Sequence, residues 1–325
     1  MTVKALFETQ IGKESTFGTA VAGAARLMGV QDVHFIPIYQ AAEYADLRAS
    51  LAPAVLSALE KVAGKCTMKG VAVYDDISYF FDSLFSIATP GGANPYTRAW
   101  TAPVATAPTP RLNTILHGSG SDVQRLTSGV LSKLHLSGQT GAPVMFDAEW
   151  DGQLVDGGGA LAVLSDRTAN VIMGNHFAVA VDALGGTIGT TAIASTAFAF
   201  DLTIESPTAL KQYFGSVKPT AYEDLRFKGA LKLTLEVNAT TRAYLQAIFN
   251  TTPVLVSKLV QLKADDTANR DLTLQFAGFQ DGTIDMYQDL NGVATVDLNL
   301  TGLYDAGAFA NWFKANNICS LATLV

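Results

Sequence analysis

Apolar and polar residues alternate with a period of two along much of this chain, and that pattern predicts half-buried strands. From Ala230 to Val237 the run ALKLTLEV puts Leu231, Leu233, Leu235 and Val237 on one face and Lys232, Thr234 and Glu236 on the other. Phe198, Phe200, Leu202 and Ile204 alternate likewise, as do Val144, Phe146, Ala148 and Trp150, and then Leu272, Leu274 and Phe276. Asn291-Gly292 separates two extended runs. Both residue types accept the left-handed backbone of a tight turn, so a hairpin is predicted there. Ala294, Val296, Leu298 and Leu300 form the apolar side of its second strand.

Helical spacing is scarce. In DDISYFFDSLFSI, residues 75–87, Ile77, Phe80, Phe81, Leu84 and Phe85 share one helical face, with Asp75 or Asp76 as N-cap and Pro90 beyond the end. Further short helices are predicted over 240–249 and over 307–316, the latter carrying Phe309, Trp312 and Phe313. Residues 50–62 also read as helix, with Pro53 in the first turn. Pro90, Pro95, Pro103, Pro108 and Pro110, with Gly91 and Gly92, predict a long loop. Stretches 117–129 and 155–159 read as loops too.

A shift of 164 residues lays KCTMKGVAVYDDISYFFDSLF (65–85) over GALKLTLEVNATTRAYLQAIF (229–249). Strand, polar cap, short amphipathic helix and a following Thr-Pro recur in that order. Later, GAPVMFDAEWDG from Gly141 resembles GVATVDLNLTGL from Gly292. The expected organisation is therefore a duplication, with domains at 1–165 and 166–325.

Composition narrows the function. The chain has 325 residues, of which 16% are charged, below the roughly 25% of soluble domains. Burial in an assembly is one way to cover such a surface. The net charge of -7 disfavours binding nucleic acid by counterion release. No apolar run is long enough to span a membrane, and MTVKALFETQ has no secretory h-region, so synthesis and folding in the cytoplasm are expected. Cys66 and Cys319 are too few for a disulfide framework and read as small buried hydrophobes.

Catalytic chemistry finds little footing. His34, His117, His135 and His176 fall in no metal-ligand spacing, and there is no nucleophile elbow or phosphate loop. His135 sits in a strand-like run. The glycines of 118–120 and 157–159 lack dinucleotide-turn spacing. Asp75-Asp76 reads as a helix cap and Asp265-Asp266 as a solvated turn. No enzymatic activity, cofactor or metal is expected.

The opening FETQIGKESTFGTAVAG (7–23) resembles the start of bacteriophage tail tube proteins, in the element Glu14-Ser15-Thr16-Phe17-Gly18-Thr19-Ala20. The strand and helix of 71–85, the tract ending at Pro110 and the run LTSGVLSKLHLSG (126–138) are similar to that family's layout. The resemblance implies a mainly β fold, a sandwich or flattened barrel with short flanking helices. It implies a structural virion protein whose subunits join edge to edge in rings, the rings stacking into a hollow tail tube through which DNA is ejected. Two tandem copies favour a trimeric, pseudo-hexameric ring over a hexameric one. Implied partners are sister copies and the tail terminator, tape measure and baseplate proteins, with genomic DNA passing through the lumen without specific binding. An acidic lumen that repels phosphates is expected. A distal-tail or baseplate hub ring protein is the alternative, and a β-sandwich binding module is a more remote one. Inter-ring contacts are expected from the linkers 40–63 and 205–227, through Tyr44, Asp46, Arg48, Tyr213, Tyr222 and Arg226.

Overall fold

The computed structural model describes residues 6–44, 56–106, 108, 111–120, 122–193, 195–246, 248, 252–267 and 269–324. The chain is mainly β. Its strands are β1 (Glu8–Lys13), β2 (Ala25–Arg26), β3 (Val30–Tyr44), β4 (Leu56–Val71), β5 (Tyr96–Thr101), β6 (Asn113–Ser119), β7 (Asp122–Gln139), β8 (Met145–Gly152) and β9 (Leu154–Asp156). There follow β10 (Phe177–Ala183), β11 (Ala197–Glu205), β12 (Thr208–Lys211), β13 (Ala221–Asp224), β14 (Lys228–Glu236), β15 (Ser257–Thr267), β16 (Arg270–Gln280), β17 (Met286–Leu290), β18 (Val293–Gly302) and β19 (Phe313–Cys319). Two helices, α1 (Ile77–Leu84) and α2 (Ala239–Leu245), follow β4 and β14. All the strands except the β12–β13 hairpin hydrogen-bond into one 17-stranded sheet.

The five alternating runs are the strands β8, β11, β14, β16 and β18, and Asn291 and Gly292 form the β17–β18 turn with φ of 55° and 84°. Several local expectations fail. Residues 307–316 are not helical: Phe313–Cys319 is a strand held between β16 and β5, so sheet pairing on both sides overrides a helical spacing. Leu56–Val71 is a strand as well, its edge satisfied by β3, and residues 50–55 lie outside the described residues. The tract 117–129 is the β6–β7 hairpin, and β5 interrupts the proline-rich loop. The second helix stops at Leu245, and Phe249 is not among the described residues.

The same pairings recur in the two parts of the chain. In the first, β1 pairs β6, β6 pairs β7, β7 pairs β8, β8 pairs β4 and β4 pairs β3. In the second, β10 pairs β15, β15 pairs β16, β16 pairs β18, β18 pairs β14 and β14 pairs β11. The order along the chain is also shared, with a helix after β4 and after β14. The segments matched by sequence, 65–85 and 229–249, are β4–α1 and β14–α2. Two pairings between these strands cross residue 165, β7 with β11 and β5 with β19.

One core runs through both parts. Helix α1 lies wholly inside it, all eight residues buried. Phe80 meets Phe146 and Trp150 of the first part, while Phe81 and Phe85 meet Phe313 of the second. Each such side chain contributes roughly 1.5–3 kcal/mol by leaving water. The polar positions of α1 are matched: Trp100 donates to Asp82 at 2.8 Å and Asn317 to Ser78 at 2.7 Å. Asp76 stands at the N-cap position without capping its own helix. Its carboxylate instead accepts from the backbone N–H of Met28 and Gly29 and from Arg167, and Asp75 accepts from Ser320. The two acids tie α1 to distant segments, a role no local capping pattern reveals.

Glu14, in the N-terminal element, is 3% exposed. Its carboxylate accepts from the Thr114 hydroxyl at 2.6 Å and from the Ser128 N–H and hydroxyl, and Ser128 also accepts from the Gly18 N–H. Gly18 has φ 84°, which a side chain would strain. The element therefore clips the N-terminal segment onto β6 and β7. Replacing Glu14 by Ala leaves buried donors unmatched, and chemical denaturation should show a loss of about 2–3 kcal/mol.

Candidate assembly interface

An uninterrupted antiparallel run, β3–β4–β8–β7–β11–β14–β18–β17, forms one wall of the molecule. Its inward side chains enter the core, as Leu134, Leu136, Phe146, Leu202, Leu231, Leu233 and Leu298 do. The outward positions are polar and pair across strands. Lys69 meets Asp147 at 2.8 Å, Lys65 meets Asp151 at 3.1 Å, and Lys133 meets Glu149 at 3.5 Å. His135 meets Asp201 at 2.8 Å, and Lys232 meets Asp297 at 2.9 Å. Exposed pairs of this kind contribute little stability. Their effect is on charge: the open face alternates in sign and is not a uniformly acidic surface.

The two ends of this run are free. β3 pairs only with β4, and β17 only with β18, among the described residues. Both expose apolar side chains, Ile36 and Tyr39 on β3, Tyr287 and Leu290 on β17. A long edge strand bearing such residues is a template for pairing with another chain. In the middle of the run the chain shows how such edges meet: Lys133–Gln139 of β7 pairs antiparallel with Ala199–Glu205 of β11. By the recurring pairings, β11 stands where β3 stands, and β17 continues the β16 direction along β18 as the end of β7 does along β8.

A second surface is the β12–β13 hairpin, which leaves the sheet between β11 and β14. Its root is held by Arg111, whose buried guanidinium pairs with Asp224 and donates to the Leu84 carbonyl at the end of α1. Burial pushes the Arg111 pKa down, and Asp224 opposes that. Its tip exposes Tyr213, Phe214 and Val217, Phe214 completely. The hairpin leans on the first part of the chain, with Val62 N–H donating to the Val217 carbonyl and Gln153 to the Pro219 carbonyl.

Of the residues expected to make inter-ring contacts, Tyr213, Tyr222 and Arg226 lie on or beside this hairpin. Tyr213 is 58% exposed at the tip. Tyr222, on β13, is half-buried and stacks on Phe17 of the N-terminal element with centroids 6.1 Å apart, and burial raises its phenol pKa. Arg226 is exposed beside a groove of about 450 Å³ that also includes Val104, Leu225, Tyr304 and Trp312. Tyr44 ends β3, its backbone opposite Leu56, and Asp46 and Arg48 lie outside the described residues. Sequence reasoning named neither the free edges nor Phe214. Only the pairing partners reveal an edge, but the apolar pair Tyr213-Phe214 between Gln212 and Gly215 was a visible signal for the tip.

At the opposite end of β11 lies an apolar groove of about 420 Å³ between Phe177, Val179, Ile193 and Phe198. Asp182 fixes the turn that leads into it. It accepts from the N–H groups of Gly189, Thr190 and Thr191 and from the Thr190 hydroxyl at 2.6 Å. Burial raises the pKa of this acid, but those donors outweigh it and hold it below the ordinary carboxylate value. Cys66 and Cys319 are buried free thiols. Among the described residues, no cluster of His, Cys, Asp and Glu is placed to hold a metal ion, and no helix is long and apolar enough to cross a membrane.

No protein-family model matches this chain, and no curated protein matches it.

Two outcomes follow from these contacts. Arg111→Ala strands Asp224 at the hairpin root, and unfolding should show a loss of about 3–5 kcal/mol, with the amides of 208–224 losing exchange protection first. For Asp182 the folded pKa lies below the unfolded one, so its contribution is complete above the unfolded value and lost as pH falls through the folded value. Amide exchange across 187–191 should accelerate below about pH 4, and Asp182→Asn should abolish that pH dependence.

Proposed function

We propose that this chain is a structural ring subunit of a phage tail tube. The observation that carries the reading is the open wall β3–β4–β8–β7–β11–β14–β18–β17, whose end strands expose apolar side chains and unpaired backbone. Pairing β17 of one copy with β3 of the next would repeat between chains the joint that β7 and β11 make within one. A wall continued in this way closes into a barrel with no edge left. The recurring pairing order is read as two tail-tube-like copies, 1–165 and 166–325, so three chains supply a pseudo-sixfold ring. The resemblance of the N-terminal element to tail tube proteins supports the same conclusion.

In this reading the polar face of the wall lines the lumen. Lys69, Lys133, Lys65 and Lys232 on it are matched by Asp147, Glu149, Asp151 and Asp297. A DNA phosphate then meets no row of free cations and gains no counterion-release affinity, so DNA slides through without being held. The part played is mechanical, in the tail of the virion, and needs no cofactor or catalytic group. Terminator, tape measure and baseplate proteins are its proposed neighbours.

Negative-stain microscopy of the purified protein tests the proposal. Hollow tubes with a threefold end view are expected, isolated rings would favour a hub protein, and monomers at every concentration would end the ring reading. Hydrogen exchange gives an independent measure. Amides of β3 and β17 should slow by about tenfold or more on assembly, while those of β8 and β14, already paired on both sides, change little.

A further inference from the structure

The two ends of the wall differ in charge as well as shape. At the hairpin end, Lys218, Arg226 and Lys228 are exposed and make no ion pair among the described residues, with Glu205 as a free acid opposite Lys228. At the groove end, Glu236, Asp285 and Asp289 make no ion pair either, with Arg242 of α2 as a free cation. Strand β14 connects the two, starting at Lys228 and finishing eight residues later at Glu236. At about 3.3 Å per residue that places them some 26 Å apart along the strand direction. Each end also carries an apolar feature of opposite shape. The fully exposed Phe214 projects at the basic end. The groove between Phe177 and Phe198 opens at the acidic end, and Glu236 is tied to its rim by an N–H bond to the Thr196 carbonyl at 2.8 Å.

We infer that copies of this chain stack head to tail along the strand direction, the basic β12–β13 hairpin end of one seating on the acidic groove end of the next. The inference rests on the ring reading and deepens it by naming the two surfaces through which one ring meets another. Among the described residues each feature occurs once, at opposite ends of β14, so the contact is heterologous, and repeated translation gives an open filament. Opposite charges select the orientation: hairpin on hairpin would oppose like charges, and so would groove on groove. Phe214 is the apolar anchor, since an aromatic side chain left bare on a monomer gains most by entering an apolar cleft.

Charge reversal with complementation tests the assignment. Lys218→Glu with Arg226→Glu makes both ends acidic, and Glu236→Lys with Asp285→Lys makes both ends basic. Each variant alone should form rings but lose tubes, with far-ultraviolet circular dichroism and melting unchanged. Mixing the two kinds of preformed ring should restore tubes in which they alternate. Phe214→Ser should give rings that do not stack. Variants that form normal tubes alone, or a mixture that stays as rings, would overturn the axial assignment. Loss of the rings themselves would place these residues in the lateral joint and overturn it equally. A wild-type protein that never leaves the monomer would instead remove the ring reading, so the two failures are told apart.

Discussion

A strand carries hydrogen-bonding groups along both sides, and a sheet that does not close leaves one such row on each end strand without a protein partner. Here that condition falls on β3 and β17, at the ends of a wall whose other members are paired on both sides. Water can satisfy these rows, but the apolar side chains of Ile36, Tyr39, Tyr287 and Leu290 remain bare beside them. Proteins that stay monomeric blunt their edges with short strands, bulges and charges. β17 has a bulge at Tyr287 and only five residues; β3 has a bulge at Gln31 and a proline at Pro37, but runs for fifteen. Its length and the bare Ile36 and Tyr39 outweigh those devices, and the proposed assembly follows from that imbalance.

The rest of the molecule serves to hold this wall in shape. Helix α1 fills the core where the two parts of the chain meet, touching Trp150 on one side and Phe313 on the other. Buried polar groups then fix what apolar packing leaves free to slide. Glu14 clips the N-terminal segment to β6 and β7, Asp76 holds the turn before β3, and Arg111 anchors the hairpin. Each joins residues more than forty positions apart, and each would be costly if one partner were missing. Such contacts specify a single arrangement where leucines and phenylalanines alone tolerate several.

Electrostatics divides the surface into zones with different work. Across the open face, lysines and carboxylates face one another at 2.8 to 3.5 Å, so the field above the wall is small. Unmatched charges gather toward the two ends, basic at the hairpin and acidic at the groove. The net charge of -7 describes neither zone. A surface neutral along its length and polar at its ends suits the proposed lumen, which must not bind DNA, and the proposed stack, which must have a direction.

Alternation of residue types was enough to locate β8, β11, β14, β16 and β18, because side-chain period is a local property of the strand. It also located the Asn291-Gly292 turn and the helix at Ile77–Leu84. The repeat of strand and helix at 65–85 and 229–249 was visible for the same reason. Local pattern misread 307–316 as a helix, since Phe309, Trp312 and Phe313 are buried by a turn and a strand that helical spacing mimics. Which strands remain unpaired, where Glu14 and Asp76 find their donors, and that basic and acidic ends lie a strand's length apart depend on pairings between residues far apart in the chain. Those pairings are chosen by the packing of the whole sheet around its core, and no window of sequence contains them.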